Sequence, residues 1–119
     1  MTRLSIQDPR LLGREARRTL PLIIDRLGDQ KERVRALAAQ TLTTMFPHAS
    51  VEVERFIKNT AMPGKNTRAK EASMHWVRQM HEENNMQFKP YVPALMELLE
   101  DADSGVRDVA KGTVIELFR

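Results

Sequence analysis

Leu20-Pro21-Leu22-Ile23-Ile24-Asp25-Arg26-Leu27-Gly28-Asp29, followed by Val34-Arg35 and Ala38, returns later in the chain. The second copy is Tyr91-Val92-Pro93-Ala94-Leu95-Met96-Glu97-Leu98-Leu99-Glu100-Asp101, followed by Val106-Arg107 and Ala110. Pro21 and Pro93, Asp29 and Asp101, and Arg35 and Arg107 all share one offset in numbering, +72. That offset is two periods of 36, so a third, degenerate unit is expected between them. A period in this range with two helices per unit predicts an all-α chain, an α-solenoid of about three helical hairpins. Such units cannot bury their apolar faces alone and must stack. A stack presents a row of matched loops, which suits a large partner better than a small substrate.

Phase locates the middle unit. In the first unit, the second helix carries Val34, Leu37, Ala38, Thr41, Leu42 and Met45 at the spacing of one helix face. Val106, Val109, Ala110, Thr113, Val114 and Leu117 repeat that face at the same offset. A shift of 35 gives Ala69, Ala72, Ser73, Trp76, Val77 and Met80, all small or apolar. The first helix of this unit is expected from Val51 to about Ala61, with Val53, Phe56 and Ile57 inward. Trp76 sits at a core phase, and Met45, Met74, Met80 and Met96 read as core filler.

Punctuation sets the boundaries. Asp8-Pro9 is a helix start, with proline in the first helical position. Pro21 is expected to begin a new helix or kink one at about Thr19, and Pro47 to close the second helix. Asn66 or Thr67 can cap the helix that begins near Arg68, and Asp103 or Ser104 the one near Gly105. Asn84-Asn85 separates the middle unit from the last, which Pro90 opens. The expected organisation is an extension over 1–13 and hairpins over about 14–47, 50–83 and 88–119. Leu117-Phe118-Arg119 carries no terminating glycine or polar cap, so a piece of a longer array is expected, with apolar end faces uncovered. Leu11, Leu12 and Ala16 are the candidate cover for the first unit.

Composition agrees. Only 5% of the 119 residues are aromatic, and no apolar run alternates with the period of a strand. There is no cysteine, which excludes a disulfide, a thiolate metal site and a cysteine nucleophile. No apolar run approaches the roughly 18 residues of a membrane span. Met1-Thr2-Arg3-Leu4 lacks the apolar core of a signal peptide, so a soluble intracellular protein is expected.

Charge is unevenly placed. Residues 1–35 carry nine basic and five acidic side chains, residues 36–70 five and two, and residues 71–119 five and nine. Basic groups recur where second helices begin: Lys31, Arg33 and Arg35; Lys65, Arg68 and Lys70; then Arg107 and Lys111. Stacking should bring these loops to one edge, a basic ridge able to attract an acidic protein surface. The competing reading is a merely solvated face. Arg35 and Arg107 each follow an aspartate by six positions, Asp29 and Asp101. A planar guanidinium at that spacing can tie the loop to the helix, and this structural role is preferred for both.

No catalytic or metal constellation emerges. His75 and His81 are six apart, on different helix faces, and His48 has no companion at ligand spacing. Asp101-Ala102-Asp103-Ser104-Gly105 begins like a calcium loop, but Gly112 stands where the bidentate glutamate belongs. Met62-Pro63-Gly64-Lys65-Asn66-Thr67 lacks the preceding strand and the spacing of a phosphate loop and reads as a turn. An enzyme, a cofactor and a metal site are therefore not expected. Nor is nucleic acid, because the C-terminal part is acidic and no stacking aromatics accompany the basic loops.

The stretch Leu20–Asp29, with Lys31 and Val34-Arg35, resembles the third HEAT repeat of a TOG domain from the CLASP group of microtubule-associated proteins. Tyr91–Leu99 with Asp101, Val106-Arg107-Asp108 and Val114–Arg119 resembles a later repeat of that domain. Lys65-Asn66-Thr67-Arg68-Ala69-Lys70-Glu71 resembles the degenerate repeat between them. The resemblance covers about residues 18–119 and is closest to the first TOG domain.

It implies a partial TOG-type paddle of HEAT repeats that binds αβ-tubulin or the microtubule lattice along its intra-repeat loops. In that light the tubulin-binding positions are Lys31, Arg33, Lys65, Arg68, Lys70 and Arg107, on the edge that charge had already marked. The implied setting is cytoplasmic and cytoskeletal, at spindles, kinetochores and plus ends, where such proteins promote rescue; other spindle or plus-end proteins are further partners. A membrane partner is not implied. Met1–Gly13 has no counterpart of the repeats that carry an aromatic tubulin contact, and a sixth repeat is missing. The alternative is a generic HEAT scaffold or adaptor with no preference for tubulin.

Overall fold

The first repeat is a hairpin of α1 (Pro9–Leu27) and the front limb of α2 (Glu32–Phe56), joined by the turn Gly28–Lys31. The structure, a computed structural model, describes residues 9–119, with side chains from residue 17 onward. The covering role expected of Leu11, Leu12 and Ala16, and the helix start at Asp8, lie outside those described residues and side chains. On α1, Leu20, Ile24 and Leu27 are buried at one-turn intervals. They share a single apolar core with Ala38 and Leu42 of α2.

α2 breaks at Ala49, whose φ of −144° and ψ of 45° leave the helical region. Its rear limb runs on to Phe56 and ends in one wide π-type turn, Ile57–Ala61. This limb is the first helix of the second repeat, and Val53 and Ile57 on it are fully buried, as the spacing predicts. α3 (Thr67–Asn84) is the second helix. It closes on Asn85 in the left-handed conformation, with φ of 55°, whose N–H bonds the Met80 carbonyl. A 3₁₀ turn, Lys89–Tyr91, leads into α4 (Val92–Leu98), and α5 (Ser104–Leu117) completes the third repeat. The described residues contain no strand, and the all-α solenoid stands.

The middle and last faces pack as read. Ala69, Ser73, Trp76, Val77 and Met80 are buried on α3, and Val106, Ala110, Thr113 and Leu117 on α5. Several expectations are corrected. Pro21 neither starts nor visibly breaks a helix, since α1 runs through it. Pro21 and Arg17, whose carbonyl loses its donor, both lie on the exposed side, where water can serve instead. Pro47 does not close α2 either; the break comes two residues later, at Ala49, and the helix resumes at once. Leu37 and Thr41 are not inward. Leu37 is 56% exposed, and α2 turns Ala38, Leu42 and Met45 to the core. Met96 is exposed as well, so it is not core filler.

Polar ties cross the repeat boundaries. Trp76, 1% exposed, donates its indole N–H to the Thr43 hydroxyl at 3.1 Å and meets Phe46 edge-to-face at 6.0 Å. Tyr91 donates its hydroxyl to Glu54 at 3.0 Å. Burial first, and then the charge of Glu54, push that phenol far above its ordinary range, so it remains a hydroxyl donor.

Candidate functional site

Three turns adjoin in repeat order: Gly28–Lys31 before α2, Met62–Asn66 before α3 and Leu99–Asp103 before α5. Their backbones explain why. In the first, Asp29 accepts from the Lys31 N–H at 2.9 Å, and Arg35 donates to the carbonyls of Asp29 and Gln30 at 2.7 and 2.9 Å. In the third, Asp101 accepts from the Asp103 N–H at 3.1 Å, and Arg107 donates to the carbonyls of Asp101 and Ala102 at 2.7 and 3.0 Å. The same bonds recur at the offset of the sequence repeat. Arg35 and Arg107 thus have the loop-tying role that their spacing predicted.

Neighbouring turns are fastened to each other. Gly28 presents its carbonyl to Asn66 Nδ2 at 3.2 Å and to Arg68 Nε at 3.0 Å. A Cβ at position 28 would overlap the Asn66 amide, so this close approach requires glycine. Farther along, Lys70 pairs with Asp101 at 2.5 Å, their side chains 13% and 14% exposed. Lys70's hydrogen bond, followed by the Asp103 N–H, holds the Asp101 carboxyl below its ordinary 3.8 against the opposing effect of desolvation. A carboxyl depressed on folding stabilises the protein above its unfolded value and loses that contribution as pH falls through the folded one. Asp101→Asn is therefore expected to lower the melting temperature at neutral pH and to flatten its decline below about pH 4. Calorimetric melts across that range check this; an unchanged acid limb contradicts it.

The six predicted residues divide into two groups. Arg68, Lys70 and Arg107 are each bound within the chain, to Gly28, to Asp101 and to the third turn. Lys31, Arg33 and Lys65 are exposed, and their side chains make no hydrogen bond or ion pair among the described residues. Lys31 and Arg68 line one shallow depression with Asp25 and Asn66; Lys65 lines the adjoining one, which shares Asp25 and Asn66. The third turn is different in sign. Its depression is lined by Glu97, Glu100, Asp101 and Lys70. The basic edge therefore belongs to the first two repeats.

Helix starts single out Lys31. The residues before α2, α3 and α5 share one backbone conformation, with φ of −86° in all three and ψ of 124°, 111° and 127°. Asn66 and Asp103 use it to cap, accepting from Ala69 and Val106 at 3.1 and 2.9 Å. Lys31 fills the same slot without a side-chain bond. It places a cation at the positive end of the helix dipole, a locally unfavourable choice. The cap slot was legible in the repeat register. Gly28 and Asn66 as the tie between turns were not, because nothing local marks a contact 38 residues away.

A row of matched turns on stacked helical hairpins is the architecture of a binding array. The family described as "CLASP N terminal" matches residues 1–119. The chain belongs to the CLASP N-terminal family. It is 64% identical to "Protein STU1" of Gibberella zeae over 119 residues, covering all of this chain and 10% of that protein. The "Protein STU1" of Chaetomium globosum is 64% identical over 99% of this chain and 11% of its own length. "Protein stu-1" of Neurospora crassa is 60% identical over the whole chain and 10% of its own length. The chain spans about a tenth of the length of these relatives. No helix among the described residues is long and apolar enough to cross a membrane.

Proposed function

We propose that this chain is a non-enzymatic tubulin-binding element of a CLASP-type, microtubule-stabilising protein. In this reading Lys31, Arg33 and Lys65 meet an acidic surface of αβ-tubulin or the microtubule lattice. Arg68, Lys70 and Arg107 hold the turns that present them. The setting is the cytoplasmic cytoskeleton, at spindles and plus ends, where the parent protein promotes rescue alongside other spindle or plus-end proteins.

The observation that carries the proposal is Lys31. A side chain that forgoes a cap worth about 1 kcal/mol, in a slot where both other repeats cap, fits a role outside the fold. Family membership supports the choice of tubulin as the partner. Lys31→Asp is expected to separate the two roles. It should raise stability by about 1 kcal/mol through a restored cap, and weaken tubulin binding in the same protein. Thermal melts and fluorescence anisotropy with purified tubulin measure both. A stabilised variant that binds as well as the parent would remove Lys31 from the site.

A further inference from the structure

The two gaps between neighbouring turns are filled differently. The first gap, between Gly28–Lys31 and Met62–Asn66, holds a cation of the chain itself: Arg68 lines it and donates to the Gly28 carbonyl. At the +37 that separates the caps Asn66 and Asp103, the residue matching Arg68 is Gly105, which has no side chain to send into the second gap. That second gap keeps a depression of about 310 Å³. It lies inside the array, with residues of the second repeat on one side and of the third on the other. Met62 and Leu98, both buried, form its floor, with the half-buried Ala94 beside them. Glu97 and Glu100 stand at its mouth. Both are exposed, and neither carboxylate makes a hydrogen bond or ion pair among the described residues. Lys70, which also lines the depression, is already taken by Asp101.

We infer that this depression receives a lysine or arginine side chain of the protein bound along the turn edge. The inference rests on the tubulin reading and deepens it, by giving the edge a second contact of opposite sign. A basic side chain has the two parts that the depression matches: an aliphatic stem for Met62, Ala94 and Leu98, and a charged head for Glu97 and Glu100. An acidic side chain would instead bring like charge to two unpaired carboxylates. The repeat register supports a role outside the fold. Glu97 and Glu100 match Asp25 and Gly28 at the offset of +72. The bonds of Arg35 and Arg107 that shape the two turns are the same with either set. The turn therefore needs no carboxylate at position 100. Along the row, Lys31, Arg33 and Lys65 meet acidic groups, and Glu97 and Glu100 meet a basic one. Two contacts of opposite sign fix where along the row the partner sits.

The double variant Glu97→Lys, Glu100→Lys, measured by fluorescence anisotropy with purified tubulin, tests it. This reversal makes the edge more basic. If positive charge alone attracted the partner, binding would tighten. A depression that takes a basic side chain predicts the opposite, a loss of about thirtyfold. Ala94→Phe, which fills the depression and leaves every charge in place, should weaken binding as well. Circular dichroism spectra of both variants should match the parent's. A double variant that binds as tightly as the parent, or tighter, overturns the inference. So does an Ala94→Phe variant with the parent's spectrum and unchanged binding. In either case the tubulin reading still stands if the parent binds and the joint reversal of Lys31, Arg33 and Lys65 does not. A parent that does not bind tubulin overturns that reading and this inference together.

Discussion

Trp76→Ala is expected to remove about 3–5 kcal/mol of stability, the usual loss when a fully buried aromatic is truncated. The residue joins the first two repeats. Its ring fills the space beside Phe46, and its N–H satisfies the Thr43 hydroxyl across the boundary. Truncation leaves a cavity between repeats that touch only their neighbours, so no distant contact compensates. Against a total of roughly 5–15 kcal/mol for a domain, the loss is severe. Urea denaturation followed by circular dichroism measures it. Trp76→Phe should lose less, because most of the ring packing survives and only the hydrogen bond goes. A loss below about 1 kcal/mol for the alanine variant would mean that the repeats are not held together at this point.

The residues that could be read in advance are those governed by periodicity. The offset of +72 named the α5 face, the shift of 35 named the α3 face, and both pack into the core, with Ala72, Val109 and Val114 partly buried at its margin. Local chemistry was equally readable: Asn66 and Asp103 cap as short polar residues at helix starts do. What failed were inferences needing knowledge of the other side of a contact. Pro21 and Pro47 are helix breakers by local rules, yet α1 runs through Pro21, and α2 runs past Pro47 before its break at Ala49. Leu37 and Thr41 follow the apolar phase, but in the first repeat nothing among the described residues lies over them. Charge shows the same limit. Lys65 and Lys70 are alike in sequence, and only the fold shows that Lys70 is paired with Asp101, 31 residues away, while Lys65 is not.

Binding is where the division of the basic edge has its largest expected effect. Lys31, Arg33 and Lys65 reversed together should weaken tubulin binding by about a hundredfold, at roughly 1 kcal/mol per reversed charge. The parent's binding should itself weaken with added salt, because exposed charges are screened over about 8 Å at physiological ionic strength. Arg68, Lys70 and Arg107 are best left intact, since replacing them would disturb the turns as well as the charge. Reversing Glu82, Glu83 and Lys89, away from the three turns, is the matched control and should change little.

The most direct measurement is therefore gel filtration and anisotropy of the Lys31→Glu, Arg33→Glu, Lys65→Glu variant with purified tubulin, beside the parent and that control. The expected result is a parent and control that co-migrate with tubulin and a triple variant that does not, all three with the same helical spectrum. A triple variant that binds tubulin as tightly as the parent, or a parent whose binding ignores salt, would contradict a basic-edge tubulin site.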